Sequence, residues 1–185
     1  YKSTGSWHSV KNNEGVEFEC RIKGRLRLDD LGSTNPIAVG DVVEFDIENN
    51  TDSRNGIIIK VHDRKNYILR KSVNLSKQTQ ILAANIDILF LVITINNPVT
   101  TTNFIDRFLI TSNAYSIDTV LLFNKMDSYN KDETIQLDKL VNLYENIGYK
   151  CIKVSATKDL NIKEIISLIK GKTIMFGGHS GSGKS

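Results

Sequence analysis

The chain has 185 residues, 40% of them hydrophobic and 24% charged, with a formal net charge of +3. This balance describes a folded protein with room for one or two domains and a sizeable core, and it excludes a disordered tail. So small a cationic surplus does not by itself call for a nucleic-acid partner. No run approaches the roughly 18 apolar residues that cross a bilayer, and no secretory leader is visible, so no membrane association is expected. Cys20 and Cys151 stand far apart in strand-like surroundings and read as buried, reduced thiols of a cytoplasmic protein. The chain opens at Tyr1 and stops inside a motif, so both ends are expected to be cut or unmapped.

The first third reads as short strands. Val16 to Lys23 alternates apolar and polar residues, as a half-buried strand does. Gly40-Asp41 reads as a turn feeding a strand through Ile47, and Asn55-Gly56 as a turn before the β-branched run Ile57 to Val61. Several short strands without a helical period predict a small barrel of the OB type. Arg70 to Ala84 reads as a polar connector, and the domain boundary is placed near Leu75.

From Ile86 the period changes. Ile88 to Ile93 is a continuous apolar run, the mark of a strand covered on both faces. Phe104, Ile105, Phe108 and Leu109 recur at helical spacing; Val120 to Phe123 reads as a strand and Ile135 to Tyr144 as a helix. Cys151 to Val154 reads as a strand, Ile162 to Ile169 as a helix and Thr173 to Phe176 as a last strand. Strands alternating with helices predict a parallel sheet with right-handed crossovers. The expected fold class is therefore all-β followed by α/β, with domains at 1–72 and 73–185.

Two motifs carry the chemistry. Gly178-His179-Ser180-Gly181-Ser182-Gly183-Lys184-Ser185 has the form of a phosphate-binding loop. Its glycines let successive N–H groups turn inward as an anion nest. Lys184 would reach the β- and γ-phosphates, the catalytic role expected of it, and the Ser185 hydroxyl would ligate Mg²⁺. Asn124-Lys125-Met126-Asp127 has the form Asn-Lys-x-Asp that reads guanine, at the carboxyl edge of a strand, where α/β sheets bind ligands. Asp127 can accept from guanine N1–H and the exocyclic amine, a donor pair that adenine lacks. The Lys125 stem can lie along the base, and Asn124 can tie this segment to the phosphate loop. Ser155-Ala156 ends the next strand, where a backbone N–H could meet guanine O6. The base reader precedes the phosphate cradle, the reverse of the usual order. Because a parallel sheet can be assembled in either chain order when the joined ends lie close, the site survives such a permutation.

Arg21, Lys23, Arg25 and Arg27 alternate with Ile22, Gly24, Leu26 and Leu28, so that on a strand all would share one face. A polyanion fits such a face; neutralisation by Glu17, Glu19, Asp29 and Asp30 is the plainer reading beside it. A second cluster, Arg64, Lys65, Arg70 and Lys71, has only Asp63 against it in sequence. Trp7 and Tyr67 can stack on bases or pack in the core. His8 and His62 have no ligand spacing, and in His179 the backbone is expected to matter more than the ring.

In this order the chain resembles the circularly permuted ribosome small-subunit-dependent GTPase A family (RsgA, also called YjeQ). The likeness covers essentially the whole chain. It rests on Cys20 to Arg27, Val39 to Val43, Arg64 to Arg70, Ala84 to Asp87, Ile105 to Leu109, Asn124 to Asp127, Ser155-Ala156 and Gly178 to Ser185. Ser182 stands where the family more often has Val. The resemblance implies a cytoplasmic, monomeric GTPase that binds the 30S subunit and its 16S rRNA late in maturation, converting GTP to GDP and phosphate. It also implies switch segments and a Zn²⁺-binding region after the phosphate loop, which this chain does not include. Two other readings stay open: an RNA-binding module with a regulatory guanine-nucleotide sensor, and an ATP-dependent P-loop enzyme.

Overall fold

In the computed structural model, residues 1–23, 37–48, 54–71 and 79–184 are described. They fall into two units, Tyr1–Asn85 and Ile86–Ser185. The first holds β1 (Lys2–Thr4), β2 (Trp7–Lys11), β3 (Glu17–Ile22), β4 (Val43–Ile47) and β5 (Asn55–Val61) in one sheet of order β1-β2-β3-β5-β4. Neighbours are antiparallel except β3 and β5, which run parallel. This is the five-stranded Greek-key arrangement of an OB fold. The alternation seen in sequence explains its core: Phe18, Cys20, Ile37 and Ile58 are buried, with Val10, Ile22, Val43 and Phe45 packed around them. Residues one step along each strand face outward instead.

Asn55-Gly56 is not a turn but the first part of β5, paired with Glu19 and Cys20. A Cβ on Gly56 would lie 2.9 Å from Cys20 Sγ and 2.9 Å from Phe45 Cδ2, so glycine serves close packing here. The stretch read as a connector is also partly regular. Strands β6 (Tyr67–Lys71) and β7 (Thr79–Ala84) form an antiparallel pair, their register running from Tyr67↔Ala84 to Lys71↔Thr79. The apolar residues Ile81 and Ala84, both buried, are what the polar character of the stretch obscured.

The basic clusters change meaning too. Arg64 is not a free surface cation: its Nε and Nη2 each donate to Asp41 at 2.6 Å. The two side chains are only 8% and 1% exposed. Arg21 lies with its guanidinium 5.0 Å from the Trp7 ring centre and bonds Glu48 at 3.4 Å. Arg25 and Arg27 lie outside the described residues, as does Ser185.

The second unit contains β8 (Ile88–Ile93), α1 (Thr102–Ala114), β9 (Asp118–Phe123), a 3₁₀ turn (Met126–Ser128), α2 (Lys131–Ile147), β10 (Lys150–Lys153), α3 (Ile162–Ile169) and β11 (Ile174–Gly178). Its sheet is wholly parallel, in the order β10-β9-β8-β11. The continuous apolar run of β8 is explained by helices on both faces. Leu91 and Ile93 pack with Ile105 and Leu109 of α1 and Leu137, Val141 and Tyr144 of α2. Ile88, Phe90 and Val92 pack toward Ile165 of α3. Helix α2 starts where Asn130 accepts from the Glu133 amide and Glu133 accepts in return, and ends at Gly148, φ 105°. No helix among the described residues is long and apolar enough to cross a membrane. Strand β11 is last in sequence yet pairs with β8, the first strand of the unit, which brings the loop after it to the carboxyl ends of β8 and β9.

Candidate nucleotide-binding site

Asn124 follows β9 and is buried, and its side chain joins three segments. Its Nδ2 donates to Ser182 O at 2.9 Å, and its Oδ1 accepts from the Ala156 amide at 3.2 Å. Its own amide donates to Ile93 O at 2.8 Å, fixing the segment to the end of β8. Base-reading motif, Ser-Ala segment and phosphate loop, read separately in sequence, thus meet through one amide side chain. The Ala156 N–H is turned to Asn124 Oδ1.

Asp127 is exposed, and its carboxylate is held by the Ser155 hydroxyl at 2.5 Å and the Thr157 hydroxyl at 3.2 Å. The Ser155 hydrogen bond, aided by its own backbone, Thr157 and the charge of Lys158, holds its pKa below the ordinary aspartate value. At neutral pH it is therefore an ionised, acceptor-only group in a fixed orientation. Ser155 itself is fully buried at the end of the sheet. Lys125 takes a left-handed conformation, φ 68°, and its ammonium donates to Asn97 O. Met126 contributes backbone, donating to Val154 O at 3.2 Å.

Two of the phosphate-loop glycines sit where a side chain could not. Gly178 has φ 139°, and a Cβ there would lie 2.5 Å from Val92 O. Gly183 has φ 93°, and a Cβ there would lie 2.4 Å from Asn124 Nδ2. The loop closes on itself through His179 O, which accepts from Ser182 N at 3.2 Å, Ser182 Oγ at 2.8 Å and Lys184 Nζ at 2.5 Å. Lys184 also donates to Gly178 O at 3.0 Å. The serine at 182, where Val is commoner in the resembling family, is thus a loop-closing hydroxyl. Ser180 and Gly181 form the exposed tip.

Sequence reasoning missed several participants. The His179 ring is not idle: it lies 4.0 Å from the Phe104 ring centre on α1. Phe108, one turn on, packs over Gly177, where a Cβ would come within 2.2 Å of Phe108 Cζ. Their helical spacing was visible, but not the loop that they face. Tyr129 donates to Asn124 O and accepts from the Ile95 amide at 3.0 Å. The usable signal was position, since Thr94 to Pro98 follows a buried strand at the carboxyl edge, where ligand loops gather.

Comparison with known proteins agrees with this geometry. The RsgA GTPase family model matches residues 61–185, and the RsgA N-terminal domain model matches residues 1–58. The chain belongs to the RsgA GTPase family. It is 57% identical over 185 residues to the small ribosomal subunit biogenesis GTPase RsgA of Flavobacterium psychrophilum, covering 100% of this chain and 57% of that protein. The corresponding protein of Christiangramia forsetii is 54% identical, with 100% and 59% covered. The crystal structure of YjeQ from Thermotoga maritima superposes with a TM-score of 0.76 at 34% identity, over 98% of this chain and 59% of that one. YloQ, described as a circularly permuted GTPase, gives 0.72 at 26% identity, with 99% and 59% covered. The chain thus spans under three-fifths of the length of these family members, and its β11-beside-β8 topology is the permuted arrangement.

Proposed function

We propose that this chain carries the guanine-nucleotide site of a GTPase that binds the small ribosomal subunit and hydrolyses GTP to GDP and phosphate. The observation that carries the reading is the Asn124 side chain, bonded at once to Ser182 O and the Ala156 amide, which makes three motifs one site. Asp127, ionised and oriented by Ser155 and Thr157, accepts from guanine N1–H and the exocyclic amine. Lys125 lies along the base. The amides from Gly178 to Gly183 cradle the phosphates, in a loop where a Cβ at Gly178 or Gly183 would clash. Lys184 exchanges the carbonyls of Gly178 and His179 for phosphate oxygens and offsets their charge. Ser185 would hold Mg²⁺, which supplies further neutralisation of the β- and γ-phosphate oxygens when bound.

The division of labour that fits is an OB domain at 1–72 contacting 16S rRNA on the 30S subunit, and a GTPase domain at 73–185. That boundary falls between the point where the two family models meet and the division of the two compact units after Asn85. Zn²⁺ belongs to the longer protein in this reading; no group of three or more His, Cys, Asp or Glu among the described residues could hold a metal. The protein would act as a cytoplasmic monomer. The test is GTP turnover by the full-length protein with and without 30S subunits. Stimulation supports the reading, whereas no stimulation at saturating subunit refutes it in favour of a nucleotide-sensing RNA module. For the OB contact, charge reversal at Arg25 and Arg27 should weaken binding and flatten its salt dependence. An unchanged salt slope would leave that face merely solvated.

A further inference from the structure

The turn after β8 touches both halves of the site, and one hydroxyl joins it to the base reader. Thr94 is fully buried and closes the turn on itself. Its amide donates to Thr100 Oγ1 at 3.1 Å, its hydroxyl to Pro98 O at 2.5 Å, and its carbonyl accepts from the Thr100 amide at 2.9 Å. From this closed turn Asn97 O receives the Lys125 ammonium, and Asn96 donates its amide to Glu133. Pro98 borders the phosphate loop, its Cδ 3.7 Å from where a Gly181 Cβ would stand.

Tyr129 is the fastener. A phenol has one proton to give and lone pairs to receive. Here the proton goes to Asn124 O while the Ile95 N–H points at the oxygen from 3.0 Å. The ring packs against the core beneath the sheet. Burial raises the pKa of the phenol, so the proton stays in place across the physiological range. The bond from Tyr129 to Asn124 closes residues 124–129 into a ring with Asp127 inside it. A smaller ring lies within, where the Ser128 amide and hydroxyl both donate to Lys125 O, at 2.9 and 2.8 Å. The backbone that carries Asp127 is therefore clamped at both ends, and the Ser155 and Thr157 hydroxyls hold the carboxylate from that fixed base.

We propose that Tyr129 is a positioning residue for guanine recognition: its hydroxyl, shared between Asn124 O and the Ile95 amide, fixes the aim of Asp127. The proposal rests on the guanine reading above. The test uses the full-length protein and its Tyr129→Phe variant, which keeps the ring and so its core packing. Dissociation constants for GDP, IDP and ADP are measured by calorimetry, with a melting curve alongside. IDP lacks the exocyclic amine that Asp127 would read, so the ratio of IDP to GDP constants isolates the carboxylate's aim. Losing the clamp should weaken GDP about tenfold and IDP much less, so that the ratio falls at least about threefold. An unchanged ratio overturns the proposal whatever the melting curve does, because packing alone would weaken both ligands equally. Wild-type protein that binds IDP or ADP as tightly as GDP would overturn the guanine reading, and this proposal with it.

Discussion

Replacing Asn124 tests the joint on which the site depends, and three side chains at that position separate its two hydrogen bonds. Asn124→Ala removes both the 2.9 Å bond to Ser182 O and the 3.2 Å bond from the Ala156 amide. Ser182 is fully buried, so its carbonyl has little prospect of water in exchange. A buried polar group left unsatisfied costs about 1–3 kcal/mol, so two of them cost about 2–6 kcal/mol. The nucleotide side of the site is open, and water there can recover part of the Ala156 share. We therefore expect about 2–3 kcal/mol, or about thirty- to a hundred-and-fortyfold in GDP affinity if it falls on the bound state. Asn124→Asp keeps an acceptor for Ala156 but sets a carboxylate oxygen against Ser182 O. It should bind GDP no better than the alanine variant, despite being nearly isosteric. The assay is GDP titration of the full-length proteins by calorimetry. Wild-type affinity in Asn124→Asp would refute the reasoning, since it would mean the link to the phosphate loop is dispensable.

Other expectations follow from single contacts. Arg64→Ala strands the Asp41 carboxylate, 1% exposed, and should cost about 3–5 kcal/mol of stability by denaturant unfolding. The loss should be recovered in large part by also replacing Asp41 with an apolar residue. Asp127→Asn should relax the preference for GDP over other nucleoside diphosphates, measured as a ratio of dissociation constants. Ser155→Ala removes the largest cause of the lowered Asp127 pKa, so the carboxyl-carbon NMR titration midpoint should move up toward the ordinary value of about 3.9. Because that pKa is depressed, the ionised form persists above the ordinary value and is lost only as pH falls through the lower one. His8 is buried with its pKa lowered by desolvation, so the unfolded chain binds its proton first. Stability should therefore fall as pH drops below about 6.5, and His8→Gln should flatten that slope in unfolding curves from pH 7 to 5.

Much of the fold was legible because its signals are periodic. The apolar run Ile88 to Ile93 and the helix Ile162 to Ile169 coincide with β8 and α3 to the residue. Burial on both faces of a parallel strand, and an amphipathic helix, each leave a pattern in one dimension. Gly56 misled because a glycine required for close approach looks like a glycine required for a turn. Arg64 misled because sequence distance hides the carboxylate 23 residues away that neutralises it. The candidate site divided in the same manner: the motifs were readable as strings, and the side chains that contact them were not. Tyr129 and Phe104 act through a hydroxyl proton and a ring face whose partners are set only by tertiary packing.

The phosphate loop and the base reader have largely separate supports. Among the described residues the phosphate loop is tied to several parts of its unit: Ser182 O to Asn124, the His179 ring to Phe104, Gly177 beneath Phe108, and β11 beside β8. The base reader has its own ties, to Ile93 O, the 94–98 turn, Val154 O and the Ser155 and Thr157 hydroxyls. The seating of the loop therefore depends on the Phe104 and Phe108 face of α1, apart from the contacts that hold Asp127. Phe108→Ala should loosen that seat while leaving the ties of Asp127 to Ser155 and Thr157 intact. GDP affinity should then fall about tenfold or more, as expected for a large-to-small change beneath a loop. The IDP to GDP ratio should stay at its wild-type value, the opposite of the pattern expected for Tyr129→Phe. A ratio that falls in Phe108→Ala would mean that the phosphate loop and the base reader are not separable, and that aim and seating are one property of the sheet's carboxyl edge.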